Sequence, residues 1–327
     1  MLIFNPANLR NLSYMMKSTV NQTSPARQFL YFVVLFAGIF VLFNVIGLAL
    51  IGLFYGFDLL MNIGRLNFSD PQTVPALYLL QIVTTTIPLF AAPVVFAYWL
   101  TPTPRAYLKP TLKFPLWLWI IAFFVMLISS PLIELLSNLN QQMVLPGWLN
   151  GIERWMKESE ENAKRITNAI LQMKTPFDCI KNVFLIGFLT AIAEEFLFRG
   201  GMQTILLNWI KKPHTAIWVT AAIFSAFHLE FYGFLPRMLL GALFGYFVYY
   251  SGSIWPAVWG HFLNNATAVI ATYLYQQKQI KLNPDAQNIF SWWQYVFSAV
   301  IILVLLLVYK KVAQGKQNPA LNGEELG

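Results

Sequence analysis

Three ionisable residues, Glu194, Glu195 and Arg199, fall within the apolar run Ala193-Glu194-Glu195-Phe196-Leu197-Phe198-Arg199-Gly200. A charged group near the middle of a hydrocarbon span costs at least ~2.5–3.5 kcal/mol, so such groups point to function or to close pairing. On a helix, Glu195 and Arg199 are four apart, share a face and have the spacing of a Glu-to-Arg ion pair. Glu194 lies about 100° further round, so Arg199 cannot serve both carboxylates equally. Glu195 is expected to be neutralised, and Glu194 is left available as a general base.

Two further pairs belong with these. Phe224 and His228 are an i,i+4 pair, as are His261 and Asn265, each on one face of its helix. Imidazole and amide groups within spans must find partners in the bundle interior, and the simplest convergence point is Glu194. A lone membrane His or Asn more often makes an interhelical hydrogen bond, and the E-E-x-x-x-R string on a soluble helix would be an ordinary salt-bridged face. Together within apolar spans they favour function over structural glue. A proton relay in a transporter is the reading least supported, because transporters are usually built from related halves and residues 1–140 hold no counterpart motif. His214 follows Lys211-Lys212-Pro213 and reads as solvated, while Glu134, Glu230 and Arg237 lie near span ends, within reach of the interface.

The elements that must position these residues follow from composition. The chain has 327 residues, 57% hydrophobic and 11% charged, where soluble domains carry ~25% charged residues. A soluble surface could not absorb that excess, whereas a bilayer can. The reading is therefore an all-α, polytopic integral membrane protein with about eight transmembrane helices. Spans are expected at about 28–57, 76–100, 115–136, 182–206, 214–229, 235–250, 254–274 and 292–309. The net charge of +8 is spread between apolar segments, which fits loops facing anionic lipid and no nucleic acid. Arg10, Lys17, Arg27, Arg105, Lys109, Lys113, Lys211, Lys212, Lys310 and Lys311 alternate onto one side, so both termini are expected in the cytoplasm of a plasma (inner) membrane protein. The first span reads as a retained signal anchor. The single Cys179 excludes an intrachain disulfide and reads as inert.

These boundaries divide the chain into a cytoplasmic segment 1–28, three transmembrane helices over 29–137, a polar loop 138–181, a core at 182–275, a last span at 292–309 and a cytoplasmic tail 310–327. Within the loop, Leu149, Ile152, Met156, Ala163, Ile166, Ile170 and Met173 recur at helical spacing among charged residues. They predict an amphipathic interfacial helix, read as a brace rather than a substrate lid. Gly241-x-x-x-Gly245 and Gly200-Gly201 suggest close helix packing. Counted from Lys212, His228 lies ~20 Å deep, while His261 lies nearer the cytoplasmic end of its span, so tilted helices are needed to join them.

Glu194-Glu195-x-x-x-Arg199, Phe224-x-x-x-His228 and His261-x-x-x-Asn265, with Ser251-Gly252-Ser253-Ile254-Trp255-Pro256-Ala257 before His261, resemble the CPBP family. These are the CAAX proteases and bacteriocin-processing enzymes, also called the Abi or type II CAAX prenyl endopeptidase family. The resemblance covers roughly 180–275. It implies an intramembrane endopeptidase acting on a membrane-associated peptide or protein, with Glu194 as general base and Glu195 as the partner of Arg199. His228 would help to hold the water, and His261 with Asn265 would stabilise the oxyanion. It leaves as the alternative a non-catalytic membrane scaffold or a bacteriocin-immunity protein of the same family. No cofactor is favoured. Zinc is the competing option, with Glu194, His228 and His261 as its two-His, one-carboxylate ligand set. Against it, H-E-x-x-H is absent, and zinc would consume Glu194 and leave Glu195, already placed to pair with Arg199, as the base.

Overall fold

The computed structural model describes residues 23–315 except 285. The remainder of the expected N-terminal segment and tail, 1–22 and 316–327, lies outside the described residues. Every regular element among the described residues is helical: α1 Pro25–Tyr55, α2 Phe57–Gly64, α3 Thr73–Leu100, α4 Pro104–Leu108, α5 Trp117–Gln141, α6 Asn150–Ile170, α7 over 176–210, α8 Pro213–Phe227, α9 Phe234–Ser251, α10 Trp255–Gln276 and α11 Trp292–Gly315, with single 3₁₀ turns at Gly147–Leu149 and Phe231–Gly233.

Local chemistry sets the ends of the helices around the core. Thr175 and Asp178 form a reciprocal capping box at the start of α7, with Pro176 in the first turn. Pro213 opens α8. α9 stops at Gly252, whose φ of +67° is the left-handed conformation that ends helices without a Cβ penalty. Pro256 then sits in the first turn of α10.

Five helices are long and apolar enough to cross a membrane: Pro25–Tyr55, Thr73–Leu100, Trp117–Gln141, Phe231–Ser251 and Trp292–Gly315. The chain is an integral membrane protein. Helices also occupy the other three places where spans were expected, but α8 is a shorter apolar helix and neither α7 nor α10 meets the apolar criterion. α7 carries Glu194, Glu195 and Arg199, and α10 carries His261, Asn264 and Asn265. The polar groups of the site thus lower the hydropathy of the helices that hold it.

Two large apolar clusters flank α7. One joins α1, α3, α7 and α8 through Phe32, Phe96, Leu197, Phe198, Ile205 and Phe224. The other joins α5, α9, α10 and α11 through Leu118, Val125, Phe244, Phe247, Ala257 and Tyr309. Leu53, Phe54, Leu303 and Leu307 are exposed on α1 and α11, where hydrocarbon is the favourable surrounding. α6 has most of its charged residues exposed, Glu153 and Glu160 half-buried, and Ala169 and Ile170 buried. The polar loop 138–181 therefore contains a helix at the expected place and, after Thr175, the start of α7.

Candidate active site

α7 is not a uniform α-helix. Wider π turns at Val183–Leu189 and Phe196–Met202 flank an α-helical segment, Thr190–Glu195, that ends in the two glutamates. Such bulges are rare and frequent at functional sites. Glu195 and Arg199 are both fully buried, and Nη1 of Arg199 donates to Oε1 of Glu195 at 2.8 Å. Nη2 of Arg199 donates to the Gly241 carbonyl at 2.9 Å. The guanidinium also lies over the Phe224 ring, 4.6 Å from its centroid, and the Phe244 ring at 5.4 Å. A cation so enclosed is held by one carboxylate, one carbonyl and the faces of two rings.

His261 enters from α10, with Nδ1 2.9 Å from Oε1 of Glu195. A carboxylate that already accepts from Arg199 can only accept again, so Nδ1 carries the proton. Phe244 stacks on the imidazole at 5.0 Å and 13° between planes. His228, at the end of α8, has Nδ1 2.9 Å from the Phe224 carbonyl, and the same logic makes Nδ1 its donor. Each ring therefore turns Nε2 inward. Both Nε2 atoms face one atom, Oε2 of Glu194, at 3.7 Å for His261 and 3.8 Å for His228. That oxygen is buried and accepts no hydrogen bond within the protein.

Glu194, Glu195, Arg199, His228 and His261 thus meet at one place. The depth difference between His228 and His261 is closed by the helix arrangement. Asn265 sits one turn beyond His261, and its amide donates to the Ile186 carbonyl at 3.3 Å and accepts from Asn264 at 3.2 Å. Sequence reasoning missed the Gly241 carbonyl and the Phe244 ring as parts of the site. The Gly241-x-x-x-Gly245 stretch is the available signal: it suggests close helix packing and belongs to the family resemblance, but neither reports that its carbonyl meets Arg199. A Cβ on Gly241 would lie 3.1 Å from Cα of Ala221, so glycine lets α8 and α9 approach closely enough to bring that carbonyl to Arg199 without either helix giving way. His214 lies elsewhere, its Nδ1 2.9 Å from the Tyr246 hydroxyl. Glu230 and Arg237 pair in the corner after His228.

Among the described residues, no three His, Cys, Asp or Glu side chains are grouped so that they could hold a metal ion. Glu194, His228 and His261 come from three helices, and both of their mutual approaches to Glu194 are long. The donor set is not grouped as a metal site in this arrangement.

No curated protein and no solved structure matches the chain at a significant level. Residues 176–267 match the family model described as type II CAAX prenyl endopeptidase Rce1-like. That segment runs from the first turn of α7 to just past Asn265 and includes all six residues singled out by their types and spacing. Over those residues the chain is similar to the Rce1-like type II CAAX prenyl endopeptidases.

Proposed function

We propose that the protein is an intramembrane endopeptidase that hydrolyses a peptide bond in a membrane-associated protein or peptide, using water activated by Glu194. The observation that carries this reading is the unpartnered Oε2 of Glu194, facing Nε2 of His228 and of His261 across 3.7–3.8 Å. Such separations exceed direct hydrogen bonding and suit a shared water. Both inward nitrogens are acceptors in the neutral rings, so with Glu194 they surround a water with three sites for its protons.

The chemistry follows from those roles. Glu194 takes one proton of the water as its oxygen bonds to the scissile carbonyl carbon, and the carbonyl oxygen becomes an alkoxide. A proton taken up from solvent at Nε2 makes His261 a donor toward that alkoxide, while Nδ1 remains on Glu195. Asn265 is one turn away on the same helix and offers a second donor, its bond to Ile186 being long enough to exchange. Collapse of the alkoxide breaks the C–N bond, and the proton on Glu194 passes to the leaving amine. Arg199 holds the Glu195 carboxylate in place beneath His261. A metal-free mechanism fits the division of labour: Glu195 is committed to Arg199 and His261, so Glu194 is the carboxylate left to act as base.

The test compares peptide products in membranes containing wild type, Glu194→Gln or no protein. Cleavage of a membrane-anchored substrate by wild type alone is expected. Equal cleavage by Glu194→Gln at equal abundance would remove Glu194 from the mechanism. A cellular phenotype kept by that variant, with no cleavage by either protein, would favour the scaffold reading. In the proposed orientation both termini face the cytoplasm of the plasma (inner) membrane.

A further inference from the structure

The corner that follows His228 is held from outside the bundle. Leu229, directly after it, is half-exposed and adopts the left-handed conformation at φ +55°, a strained choice for leucine. The main chain then runs through Glu230–Gly233 into α9. Two anchors come from the helices beside it. Asn140, buried at the end of α5, donates to the Phe231 carbonyl at 2.9 Å and accepts from the Leu235 N–H at 2.7 Å. Ser225 donates to the Phe234 carbonyl at 2.6 Å. The third anchor is different in origin. The Tyr232 N–H donates to Glu160 of α6 at 2.9 Å, and the Trp155 ring of the same helix lies 5.3 Å from that of Phe231.

α6 is a charged helix with no place among the candidate spans. Its far end is also tied to the site helices. The Ile170 carbonyl accepts from Asn182 in α7 at 3.2 Å, and the Leu171 carbonyl accepts from Gln276 in α10 at 2.8 Å. One helix therefore connects the three elements that supply Glu194, His228 and His261.

We propose that Glu160 is a positioning residue: through the Tyr232 N–H it fixes the corner that sets His228 against Glu194, making α6 a strap that couples the surface of the protein to the site. The expected effect on catalysis rests on the endopeptidase reading, whereas the expected effect on the corner does not. Releasing the Tyr232 N–H loosens the corner four residues from His228. Misplacement of a catalytic group by about 1 Å can cost roughly 100-fold in rate.

The experiment uses the full chain in lipid nanodiscs, with Glu160→Ala, Glu160→Gln and Glu194→Ala beside wild type. Glutamine keeps a side-chain oxygen for the Tyr232 N–H, so it is the rescuing variant. Glu160→Ala is expected to lower kcat by about 10- to 100-fold with KM unchanged, and Glu160→Gln to stay within a few-fold of wild type. Amide hydrogen exchange over 229–235 should accelerate in Glu160→Ala and return to the wild-type rate in Glu160→Gln. Wild-type kcat in Glu160→Ala, or a glutamine variant as impaired as alanine, overturns the proposal. Cleavage retained by Glu194→Ala sinks the catalytic reading by itself. In that case exchange alone decides: acceleration confined to the corner in Glu160→Ala supports the strap, and unchanged exchange overturns it.

Discussion

Oε1 of Glu195 accepts two hydrogen bonds, from Arg199 Nη1 at 2.8 Å and from His261 Nδ1 at 2.9 Å. The same atom therefore neutralises a buried arginine and orients the imidazole that faces Glu194. In the proposed mechanism this arrangement divides the adjacent glutamates between structure and chemistry. Glu195 has no exposed surface, whereas Glu194 keeps 7%.

That division predicts unequal costs. Arg199→Ala and Glu195→Ala each leave an unpaired buried charge, which should destabilise the protein by ~3–5 kcal/mol. Both should lower folded yield as well as cleavage. Glu194→Ala removes a carboxylate that accepts nothing through Oε2, so it should abolish cleavage with wild-type thermal stability. Equal losses of stability at all three positions would contradict the assignment.

Gly241 gives a packing test of the same network. A Cβ there would lie 3.1 Å from Cα of Ala221 and from Cδ1 of Phe224, and backbone on the facing helix cannot yield as a side chain can. Gly241→Ala should push α9 from α8 and pull the carbonyl away from Arg199, costing ~1–3 kcal/mol by overpacking. Thermal unfolding in detergent should show this together with reduced cleavage. A variant as stable and active as wild type would mean the helices separate without disturbing Arg199.

Lys109 predicts a pH effect remote from the site. It lies in the connection after α4, donates to the Thr204 hydroxyl at 2.8 Å, and burial pulls its ammonium down to about 8. Unfolded, the group keeps its proton to about 10.5. Between those values the unfolded chain binds more protons, so stability should rise as pH increases from 8 to 10.5. Lys109→Met removes the buried charge and should raise stability at pH 7 by up to about 3 kcal/mol, with the gain fading between pH 8 and 10.5. Melting temperatures across that range check it, and a pH-independent difference would rule it out.

The sequence made the helices legible because apolar runs and their Gly, Pro and Thr punctuation are local signals. The end of α9 at Gly252 and the start of α11 at Trp292 fall within two residues of expectation. α2, Phe57–Gly64, was hidden because the first span is expected to end at about 57 and the residues after it, with Asp58 and Arg65, read as a loop. The start of α7 was placed late, although Thr175-x-x-Asp178 spells its capping box. The Glu195–Arg199 pair was legible because both partners sit on one helix. The Glu195–His261 bond, the Gly241 carbonyl and the Glu160–Tyr232 link were not. Each joins residues far apart in the chain, and no periodicity reports which helix face meets which.

Metal dependence gives the sharpest remaining test of mechanism. In the zinc alternative Glu194, His228 and His261 would all become ligands, and Glu195 would have to serve as base while still neutralising Arg199 and orienting His261. One oxygen already accepts from both partners, so using Glu195 as a base would unbalance the buried cation. Metal-free hydrolysis needs no such conflict. Purified, fully active protein is therefore expected to contain zinc well below one equivalent and to keep its activity after exhaustive chelation and dialysis. Elemental analysis alongside a cleavage assay reads both quantities on one sample. Stoichiometric zinc, with activity lost on its removal and restored on its return, would reverse the roles of the two glutamates.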